Sequence, residues 1–240
     1  MRISALTLQR KLQKDEEYIM ERQFPEFSAV LFDMDGVIFD TEKVVIACWQ
    51  EVAKKYGIPH IEETCRKCLG LNQEATVRIF LDTYGENFPY AAYKQEMREL
   101  FFGPYYEQSL TVKKGGRELL AALKGAHIPV ALATSTAQAS VLKELQDAGI
   151  RDYFDQVICG DMVSHSKPHP EIFLTACAAL GAQPEKTIVI EDSYNGIRAA
   201  HAGGMMPVMV PDLLQPTGEI EQMTMAVCES LLEVKERMRL

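Results

Sequence analysis

Residues 29–42 read Ala29-Val30-Leu31-Phe32-Asp33-Met34-Asp35-Gly36-Val37-Ile38-Phe39-Asp40-Thr41-Glu42. An uncharged apolar run stops at two aspartates one residue apart, and a glycine follows. Such a run reads as a strand buried on both faces, as in a parallel sheet. On extended backbone, residues i and i+2 point the same way, so Asp33 and Asp35 converge at the strand's carboxyl end. Two like charges that close repel unless a cation or a shared proton offsets them. A polar turn capping a core strand would have the same local sequence, and the rest of the chain decides between the two.

Downstream, the pattern turns helical from Lys43 to about Tyr106. Val44, Val45, Ala47, Cys48, Val52 and Tyr56 recur at helical spacing until Gly57-Ile58-Pro59 stops them. Leu69-Gly70-Leu71-Asn72 is a short break, and Glu74 to Tyr84 and Ala91 to Phe102 read as two further amphipathic helices. Beyond Gly103-Pro104 a last helical piece starts with Tyr105 and Tyr106. After Gly115-Gly116 the chain alternates. Strands are expected at Pro129–Ala133, Gln156–Cys159, Thr187–Ile190 and Val208–Val210. Helices are expected at Arg117–Lys124, Ala137–Ala148, Pro170–Leu180 and Gly196–Ala202. Strand–helix alternation implies right-handed crossovers and a parallel sheet covered by helices. The expected fold is α/β, a doubly wound parallel sheet, with an all-helical segment inserted after the first strand. The implied division is an N-terminal extension over 1–27, a core over 28–42 and 112–240, and a helical domain over 43–111.

Composition narrows the function classes. The 240 residues are 47% hydrophobic and 25% charged, an ordinary globular balance. A formal net charge of -9 opposes general nucleic-acid binding, which needs a basic surface. No apolar run approaches the roughly 18–20 residues of a membrane span. Lys11 to Arg22 is densely charged where a signal peptide would be apolar, so a cytoplasmic location and free thiols at the six cysteines are expected.

In a doubly wound sheet, ligands sit outside the carboxyl ends of the strands. Four polar features follow the apolar runs: Asp33 and Asp35, then Thr134-Ser135-Thr136, then Lys167, then Glu191-Asp192. Any one of them alone is ordinary loop composition, a strand-end hydroxyl, a solvated lysine or an acidic helix cap. Together they put acidic, hydroxyl and cationic groups at one edge, a set suited to a divalent cation plus an oxyanion. Mg2+ prefers oxygen ligands. Asp33 and Asp192 would supply carboxylates, Asp35 a backbone carbonyl, and Glu191 direct or water-mediated help. Asp33 is then placed as a nucleophile toward phosphorus and Asp35 as the proton carrier. Thr134, Ser135 and Thr136 would hold phosphoryl oxygens, and Lys167 would stabilise the transferring group. His165 and His169 flank Lys167 and are weaker candidates.

These residues together, from Asp33-Met34-Asp35-Gly36-Val37 through Thr134-Ser135 and Lys167-Pro168-His169-Pro170 to Glu191-Asp192-Ser193, resemble the four motifs of the haloacid dehalogenase superfamily. The likeness covers about residues 28–212, and it is strongest to the branch of beta-phosphoglucomutases and small-molecule phosphatases. It implies a Rossmann-like core, an aspartyl-phosphate intermediate at Asp33, acid–base work by Asp35, Mg2+ as cofactor and a helical cap over the substrate. The dehalogenase branch lacks the second aspartate, which is present here as Asp35. Mutases of this type place a histidine, an arginine and a lysine where this chain has Val45, Gln73 and Ala137. The expected activity is therefore hydrolysis of a small phosphomonoester, a sugar phosphate or a nucleoside-type monophosphate, with a phosphosugar mutase as the alternative. The expected partner is a small phosphorylated metabolite, with no nucleic acid or membrane, and the protein is expected to be a monomer, with a dimer as the alternative. Glu74, Arg78 and Tyr84 are possible substrate liners.

Overall fold

The computed structural model describes residues 23–68, 70–106 and 110–240. Most of the expected 1–27 extension, and the piece expected beyond Tyr106, lie outside them. The strands are β1 (Ala29–Phe32), β2 (Val130–Ala133), β3 (Gln156–Ile158), β4 (Thr187–Glu191), β5 (Met206–Met209) and β6 (Ala226–Val227). They form one parallel sheet in the order β3-β2-β1-β4-β5-β6. The chain winds to one side of β1 and then to the other, so the sheet is doubly wound. The helices are α1 (Thr41–Tyr56), α2 (Ile61–Cys68), α3 (Gln73–Tyr84), α4 (Tyr90–Phe101), α5 (Gly116–Gly125), α6 (Gln138–Asp147), α7 (Glu171–Leu180), α8 (Tyr194–Ala202), α9 (Gly218–Met223) and α10 (Leu231–Met238). Among the described residues none is long and apolar enough to cross a membrane.

The two faces of the sheet explain why its strands are apolar without interruption. Val30, Phe32, Val130, Leu132, Ile188 and Ile190 pack on one side against Leu119 and Leu123 of α5, Leu145 of α6 and Val234 of α10. Leu31, Ala131, Ala133 and Val189 pack on the other against Ile172 and Phe173 of α7 and Ala199 of α8. Burying each larger aliphatic side chain contributes about 1.5–3 kcal/mol. β6, α9 and α10 escaped the sequence reading. β6 has two residues, too few for any periodicity, and α9 has six. β5, expected at Val208–Val210, starts at Met206, because Pro207 reads as a strand breaker.

Helices α1–α4 make a second, separate core. Phe80 sits at its centre, with the rings of Trp49, Tyr90 and Tyr93 at 5.0, 5.1 and 5.6 Å. Cys65 and Cys68 are buried within it, one helical turn apart on α2, and all six cysteines are buried. Helix α1 begins two residues earlier than expected, and α2 adds a helix the reading did not separate. Two chain crossings join this insert to the sheet, where the Asp40 N–H donates to the Thr111 carbonyl and the Lys113 N–H to the Ile38 carbonyl.

Candidate active site

Register brings the reactive groups together. Phe32 is aligned with Leu132 on one side and Ile190 on the other, so Asp33, Ala133 and Glu191 follow at one edge. Lys167 arrives from the loop after β3, and its side chain is buried. Its Nζ donates to Asp33 Oδ1 at 2.5 Å, to Glu191 Oε1 at 2.7 Å and to the Ala133 carbonyl at 3.3 Å. It also lies 4.8 Å from the centre of the Phe173 ring. Burial works against the ammonium, but the two carboxylates outweigh it and hold Lys167 above its ordinary range.

Each neighbour is fixed in turn. Glu191 Oε2 accepts from the backbone N–H groups of Asp192 and Ser193 and from Ser193 Oγ, at 2.8–2.9 Å. Both oxygens of Glu191 are thus engaged within the protein. A Cβ on Gly196 would come within 1.7 Å of Glu191 Oε1, so only glycine fits there. Asp35 Oδ1 accepts from Thr41 Oγ1 at 2.6 Å, and its Oδ2 from Thr136 Oγ1 at 2.7 Å. Thr134 is buried, and its Oγ1 accepts from the Thr136 N–H. Ser135 Oγ turns to the insert and donates to the Gly70 carbonyl at 2.9 Å. Gly36 has φ +78°, and a Cβ there would come within 2.3 Å of Asp192 Oδ2. The turn after the first motif therefore needs glycine for both its conformation and its close approach.

The electrostatics point to a missing positive charge. Asp33, Glu191 and Asp192 offer carboxylate oxygens within 4.8 Å of one another, and Glu42, Asp192 and Asp212 form a second such group. Oδ2 of Asp192, Oε2 of Glu42 and Oδ2 of Asp212 are buried without a hydrogen-bond partner. Burial pushes the Asp33 carboxyl up to about 7 against the pull of Lys167. It pushes Glu42 up to about 8, with Asp212 and Asp35 adding to it. Asp192 stands well above the carboxylate range, through burial and then Glu42. Two ammoniums, Lys167 and Lys113 (3.0 Å from Asp212 Oδ1), do not balance the five carboxyls Asp33, Glu42, Glu191, Asp192 and Asp212. The donor set is all oxygen and Asp192 Oδ2 is buried without a hydrogen-bond partner, so the residues fit a hard divalent cation.

Above the carboxyl groups lies a niche of about 60 Å³ bounded by Asp33, Asp35, Thr134, Ser135, Thr136 and Asp192. It sits beside a cavity of about 880 Å³ between sheet edge and insert. All six residues expected around the phosphate are at these two spaces or bonded to groups that are. Of the possible liners, Glu74 and Arg78 border the larger cavity. Tyr84 instead packs in the insert's core, 2.8 Å from Thr64 Oγ1. His165 and His169 are exposed, and His165 Nδ1 lies 2.6 Å from Glu171 Oε2. The reading missed Trp49, Lys94, Arg98 and Glu144 in the cavity wall. Helical spacing of 94, 97, 98 and 101 on α4 was the available signal, but facing was not decidable from it.

The sequence profile of the haloacid dehalogenase-like hydrolases matches residues 30–210. Over 182 residues the chain is 35% identical to a phosphorylated carbohydrates phosphatase of Thermotoga maritima, covering 74% of this chain and 82% of that protein. Over 190 residues it is 31% identical to a beta-phosphoglucomutase of Bacillus subtilis, covering 76% and 82%. The solved structure of CbbY from Rhodobacter sphaeroides in complex with phosphate is similar at a TM-score of 0.71 and 27% identity, covering 87% of this chain and 96% of that one. With the doubly wound sheet and this carboxyl-edge cluster, these matches identify the chain as a member of the haloacid dehalogenase-like hydrolases, an enzyme of their phosphatase kind.

Proposed function

We propose that the protein is a Mg2+-dependent phosphatase acting on a small phosphomonoester through an aspartyl-phosphate at Asp33, with residues 43–111 as its cap. The observation that carries this reading is Lys167, buried between Asp33 and Glu191. A fixed ammonium there serves a group that gains negative charge in the transition state. Asp33, Asp192 and the Asp35 carbonyl would hold the cation, with Glu191 helping through a water, since both its oxygens already have protein donors. When bound, the cation lets the anionic carboxylate approach an anionic phosphoryl group.

The first half-reaction joins an Asp33 carboxylate oxygen to phosphorus. The bond from phosphorus to the substrate oxygen breaks, and Asp35 passes a proton to that leaving oxygen. In the second half, Asp35 takes a proton from water as the water oxygen attacks phosphorus. The bond to Asp33 breaks and phosphate leaves. Thr41 and Thr136 hold the Asp35 carboxylate in place, while the Thr134 hydroxyl and the Ser135 N–H hold phosphoryl oxygens. Val45, Gln73 and Ala137 all border the cavity, so the positions that carry histidine, arginine and lysine in the mutase pattern face substrate space without them.

The mutase reading has its own support. Arg78, Lys94 and Arg98 border the same cavity and bring positive charge that a second phosphate needs. Proton and phosphorus NMR on β-glucose 1-phosphate separates the two. The phosphatase releases glucose and phosphate, whereas accumulation of glucose 6-phosphate replaces it with the mutase. Activity is expected to vanish in EDTA and return with added Mg2+, and full activity in EDTA would remove the metal from the scheme.

A further inference from the structure

The loop from β3 to α7 delivers Lys167 to the sheet edge, and it also carries side chains that the reaction does not use. His165 and His169 flank the lysine, and Glu171 opens α7. His165 Nδ1 lies 2.6 Å from Glu171 Oε2, and His169 Nδ1 lies 3.9 Å from the same oxygen. The two imidazole rings are 4.5 Å apart and tilted by 33°. One ligating atom from each of the three residues lies within 4.8 Å of the others. None of the three borders the phosphate niche or the large cavity, so the group is separate from substrate space.

Glu171 is anchored before any ion arrives. Its Oε1 accepts from the Ser164 N–H at 2.8 Å and its Oε2 from the His165 N–H at 2.9 Å. These bonds, with the His165 ring, hold its carboxyl below the ordinary range and keep it anionic at neutral pH. A carboxylate oxygen has a second lone pair, so Oε2 keeps its backbone bond while it ligates. In tetrahedral coordination with bonds of about 2.0–2.2 Å, ligand atoms sit about 3.3 Å apart. The distances of 2.6 and 3.9 Å bracket that value, and side-chain shifts of about 0.7 and 0.6 Å reach it. Two contacts give way to the ion, the one between His165 Nδ1 and Glu171 Oε2 and the 3.3 Å bond from the Glu171 N–H to His169 Nδ1. The side chains of His165, His169 and Glu171 are 65%, 52% and 27% exposed, which leaves entry open and a fourth position for water.

Two imidazoles and one carboxylate suit zinc and neighbouring transition ions. Mg2+ prefers an all-oxygen shell, so this donor set and the carboxyl cluster at the sheet edge select different metals. We propose that His165, His169 and Glu171 form a second metal site, for a divalent transition ion of the zinc type, which fastens the Lys167 loop to the first turn of α7. The ion bridges residues on both sides of Lys167 and takes no part in the chemistry at Asp33.

Titration calorimetry of the untagged full chain with Zn2+, in buffer containing excess Mg2+, tests the site. One equivalent is expected to bind saturably. Its affinity should fall at least about tenfold in His165→Ala and in His169→Ala taken separately. It should stay unchanged in Asp33→Asn and in His201→Ala, which alters a histidine on α8. Zn2+ should raise the melting temperature of the parent and of Asp33→Asn but not that of His165→Ala. With Cu2+ as the probe, electron paramagnetic resonance should show coupling to two imidazole nitrogens in the parent and to one in each alanine variant at the site. No saturable binding up to about 1 mM, or equal affinity in the parent and both variants at the site, overturns the proposal. So does an affinity lost in Asp33→Asn, which would put the ion among the catalytic carboxyls. No substrate is present in any arm, so failure here leaves the phosphatase reading standing, and failure of that reading leaves this site standing.

Discussion

Along the carboxyl edge of the sheet, Lys167, Asp33, Glu191 and Asp35 are each tied to another side chain by bonds of 2.5–2.7 Å. Across the cavity, in the helical insert, Trp49 Nε1 is buried without a hydrogen-bond partner, and an aromatic cluster around Phe80 packs the interior. Hydrogen bonds tie the insert to the sheet domain from Ser135 Oγ to the Gly70 carbonyl, from the Asn72 N–H to Ser166 Oγ and from the Tyr106 hydroxyl to Asp147 Oδ2. The edge is built for one geometry, because strand register sets the spacing of its groups. The cap is a scaffold of packed rings whose inner face can change without touching that register. Under the proposed function, reaction type would belong to the sheet and choice of substrate to the helical insert.

Substitutions probe this division, beginning with the largest effect. Asp33→Asn should lower phosphate release by at least about 10³-fold while the melting temperature holds, since it removes a buried charge and keeps the shape. Residual activity within tenfold of the parent would take the nucleophile out of the sheet edge. Lys167→Ala leaves Asp33 and Glu191 facing each other unpaired. It should cost about 10²–10³ in kcat and about 3–5 kcal/mol in urea denaturation. Phe80→Ala should cost the cap a similar 3–5 kcal/mol but leave kcat for a small ester within tenfold. If turnover fell as far as in Lys167→Ala, the two regions would not be separable.

The smallest effect is one of pH. Burial pushes the Glu144 carboxyl up to about 8, from about 4.5 when exposed. The folded chain then holds a proton that the unfolded chain has released, so stability falls as pH rises from about 4.5 through 8. Glu144→Gln removes that slope. Denaturation at pH 5 and pH 9 should show the variant gaining on the parent by on the order of 2 kcal/mol at the higher pH. No gain would mean that Glu144 ionises normally and is solvated.

What could be read in advance follows the same division. The strands announced themselves by uninterrupted apolar runs, and the edge by polar residues that directly follow them. Asp33, Thr134 and Glu191 each stand one residue past such a run or at its end, which is a one-dimensional signal. Glu42 lay within the opening motif, but its burial beside Asp192 and Asp212 depends on a loop 170 residues away in the chain. Trp49 and Glu144 were hidden for the same reason. Helical periodicity shows that a helix has an inner face but not whether that face meets a core or a cavity. Leu231, Val234 and Met238 did carry a helical rhythm after Ser230, so α10 was legible and was passed over.

The six thiols divide evenly, Cys48, Cys65 and Cys68 among the cap helices and Cys159, Cys177 and Cys228 in the sheet domain, and all are buried. Burial lifts Cys48 to about 11 and Cys68 and Cys159 to about 12. The thiolate is the nucleophile that attacks alkylating reagents, so the native molecule offers them almost nothing. Each modified position is consequently a record of local opening at that place. Mapping alkylation by mass spectrometry over time would time the loosening of each half separately, with no label added to the chain.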